Sequence, residues 1–430
     1  MHGQRRFPLS SPKAVRALLL ATCCLASTAF AQATPFQGSQ RLLLSSGTLR
    51  GSPRMMGLGG AYVGIAEGAE GMTRNAASIV SKDAHFDGDS SLDFGGTMHF
   101  LMPGSVKEQD WDNDGRPEQR EGPLANLGTQ VFYSVVAFRY KNFGIGGGFD
   151  LQNFLAATRK DGETFDRVLN VGLLHFFGAL GYSFWNDQIL VGAGVETTHA
   201  LFGYGEKPDG QLLPGFNDSA GYHGWGLQLG ALWRPENENY RIGFAFSPNT
   251  TAWQAGNKAQ IGGWTLPSQV VSPGRVSLGG SFAFGEGRAY NITSREGWML
   301  GPDGQPGRTA AMTRWLVTAQ LDVTLPVDNA VAMSPFLEQP LTDAIPAGNH
   351  PSFCLRAAVE KEVFIDRLRL RLGGYLEPPT TATGPIVRPH LNFGFEIFLF
   401  KVKTTRMSFG LSFDFARLYQ NLSFAVLVWK

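Results

Sequence analysis

The chain has 430 residues, with 37 Lys and Arg against 36 Asp and Glu, and a formal charge of +1 gives no bulk electrostatic hold on nucleic acid. Charged residues are 17% of the total, below the roughly 25% of soluble domains, while glycine (54) and phenylalanine (32) are abundant and glycine has no period of three. Those facts exclude collagen and a wholly disordered chain, and fit a β-rich protein with one wall in lipid.

Residues 1–31 carry Arg5, Arg6, Lys13 and Arg16 and no acid, then an apolar stretch from Ala17 to about Ala26 and the small-residue end Ala29-Phe30-Ala31. That order predicts a secretory signal peptide, with Gln32 as the mature start. A retained anchor, or a lipoprotein cut before Cys23, is disfavoured by the short apolar run and by Thr22. Cleavage removes four of the 37 cations, none of the 36 acids and two of the three cysteines. The mature chain then has a net charge of −3 and Cys354 as its lone cysteine, so no intrachain disulfide can form.

Residues 50–80 are small, apolar and interrupted by glycine, so they cannot make a long alternating strand. The run Gly57-Leu58-Gly59-Gly60 lacks the Lys-Ser/Thr of a phosphate loop and its βαβ setting. The reading is a close-packed hatch that folds back into a barrel. Glu67 and Glu70 face luminal groups or water there, and Asn75 turns the chain through its short amide. The expected organisation is a signal peptide (1–31), a hatch region (32–89) and a barrel (90–430).

This segment resembles the amino-terminal region of the FadL-type outer-membrane transport proteins. Their pattern is Gly-x-Gly-Gly-Ala, an acidic small-residue stretch, then Asn-Pro-Ala-Gly. Gly57, Gly59, Gly60, Ala61, Glu67, Ala69, Asn75 and Ala77 match it, whereas Ala76 and Ser78 stand where the family has Pro and Gly. Pro273 to Gly279 is similar to the family's Pro-x-x-Val-x-Leu-Gly strand opening. The resemblance implies a fourteen-stranded barrel with a luminal hatch. It also implies uptake of long-chain fatty acids or other hydrophobic small molecules.

Asp110-Trp111-Asp112-Asn113-Asp114-Gly115 opens an acidic loop. Asp110, Asp112 and Asp114 stand at positions 1, 3 and 5 of a calcium loop, Gly115 at 6, Glu118 at 9 and Glu121 at 12, with the Arg116 carbonyl expected from position 7. Pro117 departs from that pattern and no flanking helices are evident. A solvated acidic loop is the alternative to a calcium ion.

From residue 90 onward the dominant signal is a period of two. Met407, Phe409, Leu411, Phe413 and Phe415 alternate with Ser408, Gly410, Ser412 and Asp414, and Ile242, Phe244 and Phe246 alternate with Arg241, Gly243 and Ala245. Such stretches have an apolar wall face and a small or polar luminal face. Strands are expected at 90–103, 128–140, 143–155, 167–182, 188–203, 221–234, 238–249, 274–285, 312–325, 331–338, 352–363, 366–377, 389–401, 404–416 and 420–429. Bacterial barrels have even strand numbers, so one of these is in excess, and the short, Pro-containing 331–338 is the one to discard. The fold class is an all-β transmembrane antiparallel barrel of fourteen strands. Long loops at 104–127, 204–220, 250–273, 286–311 and 377–388 are expected on the outer side and short turns on the periplasmic side.

Val168 to Trp185 is the most apolar run after the signal peptide, but Asn170, Gly172, His175, Gly178 and Gly181 break it. It does not read as the roughly 20 continuous apolar residues of a spanning helix. Arg367, Arg369 and Arg371 fall on one face, expected in the lumen opposite acids such as Glu360. Neither H-E-x-x-H nor G-x-S-x-G occurs, and no enzyme is expected. The functional expectation is passive transport of hydrophobic small molecules across the outer membrane of a Gram-negative bacterium. The expected partners are outer-membrane lipids and the outer-membrane assembly machinery, and not nucleic acid. The alternative is a barrel scaffold or partner-binding component of a secretion, motility or surface assembly.

Overall fold

The structure is a computed structural model. It describes residues 35–44, 51–81, 90–101, 110, 112–114, 124–158, 165–208, 215–236, 238–285, 290–291, 315–339, 342–364, 367–381, 387–402 and 405–429. The predicted signal peptide lies outside the described residues.

In chain order, a short strand β1 (Arg41–Leu43) and a short helix α1 (Pro53–Gly57) precede the wall. The first wall strands are β2 (Ser90–Leu101), β3 (Leu124–Tyr140), β4 (Phe143–Thr158), β5 (Phe165–Phe184), β6 (Ile189–Pro208), β7 (Gly215–Trp233) and β8 (Tyr240–Ser247). Four short strands follow: β9 (Thr250–Gln254), β10 (Gln260–Ile261), β11 (Trp264–Thr265) and β12 (Gln269–Ser272). Then come β13 (Arg275–Phe284), β14 (Trp315–Thr324), the two-residue β15 (Ala330–Val331) and helix α2 (Met333–Leu337). The wall ends with β16 (Ser352–Phe364), β17 (Leu368–Glu377), β18 (Arg388–Val402), β19 (Thr405–Ala416) and β20 (Tyr419–Trp429).

Setting aside the short inner strands, these make fourteen antiparallel wall strands among the described residues. β8 pairs with β13, and β14 with β16. β20 returns to β2 in register from Asp93↔Trp429 to Leu101↔Asn421, which closes the barrel. Closure leaves no free edge and pairs the wall's backbone groups internally, as lipid requires. The expected strand at 331–338 is absent from the wall: β15 and α2 occupy that stretch inside.

Alternation sorts the faces. In β19, Ser408, Gly410, Ser412 and Asp414 are buried, while Phe409, Leu411, Phe413 and Phe415 face outward. Phe94, Leu180, Phe244, Leu278 and Leu372 continue the exposed apolar wall around the barrel. Such a belt needs lipid against it, so this is a membrane-spanning barrel. Among the described residues no helix is long and apolar enough to cross a membrane. Aromatic residues ring the end where β3–β4 and β5–β6 turn tightly. Trp233 meets Tyr240 at 5.7 Å between ring centroids and Phe284 stacks on Trp315 at 6.2 Å.

The loop expectations need three corrections. The 204–220 stretch is mostly strand, since β6 and β7 stay paired as far as Glu206↔Gly215. The 286–311 connection leaves β13 after Phe284 and enters β14 at Trp315, a paired position on the tight-turn side. Its two ends therefore sit on the tight-turn side and not on the side expected for it. The 250–273 stretch is not a plain loop, because Pro248 and Pro273 bend the chain rather than end the pairing. β9 and β12 pair beyond those bends, and β1 adds to β12 in parallel while also meeting β15.

Candidate functional site: a bolted hatch beneath an apolar chamber

The hatch, residues 51–81, lies inside the lower lumen. Ser52 caps α1, its Oγ accepting the Met55 N–H at 3.2 Å, and Pro53 starts the helix where its missing N–H costs nothing. Gly57, Gly59, Gly60, Ala61, Glu67, Glu70 and Asn75 are all buried. Gly57 packs on Gly394 and Arg371, and Gly59, with φ +58°, on Gly374. Gly60 also has positive φ, at +76°. The Ala61 carbonyl accepts the Thr318 hydroxyl at 3.0 Å. Asn75 accepts the Ala77 N–H at 3.0 Å and donates to the carbonyls of Val63 (3.1 Å) and Ala231 (3.0 Å).

The wall has glycine where the hatch backbone touches it. A Cβ on Gly243 would lie 1.9 Å from the Val63 carbonyl oxygen, and one on Gly192 would lie 2.4 Å from Ala76. Much of the glycine in the alternating strands therefore makes room for a second backbone.

Charge bolts the hatch to the wall. Arg54 forks onto Glu360 at 2.9 and 3.0 Å, and also reaches Glu67 at 2.9 Å and Glu70 at 3.4 Å. Arg241 of β8 holds the other oxygen of Glu67 at 2.7 Å, and the Tyr62 hydroxyl donates to Glu70 at 2.7 Å. Arg371 binds Glu360 at 2.6 Å and contacts Glu396; Arg369 is buried, 3.8 Å from Glu362. Arg367, expected in the same row, lies in the turn before β17 and is exposed, because β17 begins one residue later.

Sequence reasoning missed three anchors. Arg54 is one of three cations in the small-residue stretch 50–80, and Arg241 interrupts the luminal row of small residues in β8; both were visible as such. Gln320, whose Oε1 accepts the N–H groups of Tyr62 and Val63 at 2.9 Å each, carried no local signal.

Above the hatch the lumen turns apolar. Phe154, Leu169, Val171, Phe202 and Tyr222, inward-facing on β4–β7, pack with Leu42 of β1, Trp264 of β11, and Met333, Phe336 and Leu337 of α2. Phe336 meets Phe202 edge-on at 5.6 Å, and the Trp264 ring N–H donates to the Leu337 carbonyl at 3.0 Å. The small strands and α2 thus cap and fill an apolar chamber. The cleft beside Arg54, Glu70 and Arg369 offers only about 30 Å³.

The wall pairing is interrupted beside these layers. β7 pairs with β8 from Leu229 to Trp233 and with β9 from Tyr222 to Gly224, and the register slips by one residue between. Residues 225–228 have no partner on that side, and a small pocket lined by Gln228, Phe246 and Ser247, with Arg74 and Arg275, sits at the break.

At the loop end Asp110, Asp112 and Asp114 are buried, with carboxylate oxygens all within 4.8 Å of one another. This triad could coordinate a metal ion. Arg116, Glu118 and Glu121, expected as further ligands, lie outside the described residues.

No protein-family model matches the sequence, and no curated protein does. Solved structures do match. A FadL homologue of Pseudomonas aeruginosa is 13% identical with a TM-score of 0.52, over 89% of this chain and 98% of its own. The Pseudomonas putida toluene transporter TodX is 13% identical with a TM-score of 0.50, over 93% of this chain and 99% of its own. At such identity the likeness establishes the fold, and the resemblance read from residues 57–77 holds at that level.

Proposed function

We propose that the chain is a passive outer-membrane channel for hydrophobic small molecules, long-chain fatty acids among them. One observation carries this: an apolar chamber stands directly above a polar, salt-bridged hatch, next to an interruption in the wall. A non-polar solute gains by leaving water for the chamber and is stopped by the charged hatch. The break between β7 and β8 gives it a sideways route towards lipid. No nucleophile or acid–base pair is needed for such passage, and a non-enzymatic role follows.

The mature chain in lipid vesicles should admit labelled oleate or toluene faster than vesicles without it, while passing ions poorly. Mass spectrometry of gently extracted protein should find a bound hydrophobic compound. The close packing of the lumen favours a second reading, a barrel scaffold for a surface assembly. A folded barrel that carries no such compound and speeds no uptake would support it.

The cation suited to the acidic triad is calcium. The donors are all oxygens, and a calcium ion tolerates irregular carboxylate geometry where magnesium demands a strict octahedron.

A further inference from the structure

The acidic turn is tied to the chamber cap. The Ser334 N–H, at the start of α2, donates to Asp112 Oδ2 at 3.2 Å. Phe336 and Leu337, two and three residues on, are among the side chains filling the chamber. The turn is also fastened to the neighbouring outer connections. The Asp110 N–H donates to the Leu418 carbonyl at 2.8 Å, Asn113 Nδ2 to the Pro378 carbonyl at 3.0 Å, and the Thr380 hydroxyl to the Asp112 carbonyl at 3.0 Å. Whatever moves this turn therefore moves the cap.

The turn also holds an orphaned oxygen. Asp112 is fully buried, and its Oδ1 has no hydrogen-bond partner. Arg388 lies 3.7 Å from Asp110 Oδ2 and donates to the Asp110 carbonyl, but it also pairs with Glu377 at 2.7 Å. An orphaned oxygen among convergent carboxylates, in a turn whose sequence spaces its acids at 1, 3 and 5, is a site for a hard divalent cation.

We propose that calcium bound by Asp110, Asp112 and Asp114 locks α2 over the apolar chamber, and that vacating the site frees the cap for loading from the outer side. The gating role rests on the transport reading above; the cation site and the lock do not. With the cation in place the three carboxylates are drawn together, and Asp112 Oδ2 stays aimed at the Ser334 N–H. Without it the orphaned Asp112 Oδ1 is left to turn towards water, and the hold of Oδ2 on the Ser334 N–H is lost.

The test uses the folded mature chain in detergent. Calcium chloride titrated calorimetrically should show one-site binding, weakened about tenfold or more by Asp112→Asn with Asp114→Asn. Cap movement is read with Phe336→Cys in a Cys354→Ser background. Maleimide labelling should run about tenfold faster in EDTA than in calcium. Equal calcium binding by wild type and double variant, or no binding by wild type, overturns the site. Labelling that ignores calcium overturns the lock. The calcium-against-EDTA comparison needs no carboxylate variant, so it decides the lock even where the double variant does not fold. Neither readout uses a hydrophobic ligand, so a barrel that binds none overturns the transport reading and leaves the lock standing.

Discussion

Replacing Arg54 with Met should release the hatch while leaving the wall intact. The guanidinium touches three acids: Glu360, Glu67 and Glu70. Without it Glu360 keeps Arg371 and Glu67 keeps Arg241, but Glu70 keeps only neutral hydroxyls, those of Tyr62 and Ser52. Removing one partner of a buried ion pair costs about 3–5 kcal/mol, because a buried charge is left uncompensated. At roughly 1.4 kcal/mol per decade, the undocked fraction of the hatch should rise by about two to three and a half decades. The wall strands gain and lose no backbone pairing, so the barrel should remain heat-modifiable on a gel. Single-channel recording in planar bilayers reads the outcome: low conductance for wild type, frequent large openings for Arg54→Met, and the largest for deletion of residues 50–80. Adding Glu70→Gln should recover part of the loss by removing the stranded charge. A folded Arg54→Met barrel that conducts like wild type would refute the bolt.

Gly243→Val should displace the hatch sterically, because its Cβ would meet the Val63 carbonyl at 1.9 Å; limited proteolysis within residues 51–81 should then accelerate. Phe409→Arg on the outward face should destabilise insertion by about 2–4 kcal/mol near the membrane middle, measured by urea unfolding in lipid vesicles; no loss would mean the residue sits at an interface. Phe202→Arg should abolish uptake of hydrophobic solutes while leaving folding of the wall detectable on a gel, because it places a charge in the apolar chamber; unchanged uptake would move the route elsewhere.

The strands that keep a clean period of two, such as β8, β13 and β19, were legible because each has one face in lipid and the other against small or polar luminal groups. Val168 to Trp185 reads as a strand at 167–182 and not as a spanning helix, which β5 bears out, but its two apolar faces were not told apart. It is apolar without strict alternation because β5 meets lipid on one face and the chamber on the other, with Leu169, Val171 and Leu173 inside and Leu174 and Phe176 outside. Read as one more wall strand, that run gave no sign of the chamber. The short inner strands were illegible for another reason. β1, β12 and β15 have two to four residues each and pair across more than 200 positions from β1, and periodicity cannot be read in so short a window. The hatch was legible as small-residue packing. Its ionic bolts were not, since Arg54 and Glu360 meet across 306 positions.

That separation bears on how the molecule is made. The hatch leaves the ribosome before any wall strand, yet its strongest ionic partners are on β16 and, through Glu360, on Arg371 of β17. The seam that encloses it joins β2 to the last strand. The segment cannot be threaded into a finished barrel without passing its own backbone through a packed interior, so the wall must close around it. Assembly is then a wrapping reaction with very high contact order, which is intrinsically slow. An apolar strand set waiting for its final member is exposed to aggregation, so the chain needs escort until β20 reaches β2. A variant that weakens the ion pairs at Glu360 should therefore also slow closure of the barrel, in addition to any change in the finished channel.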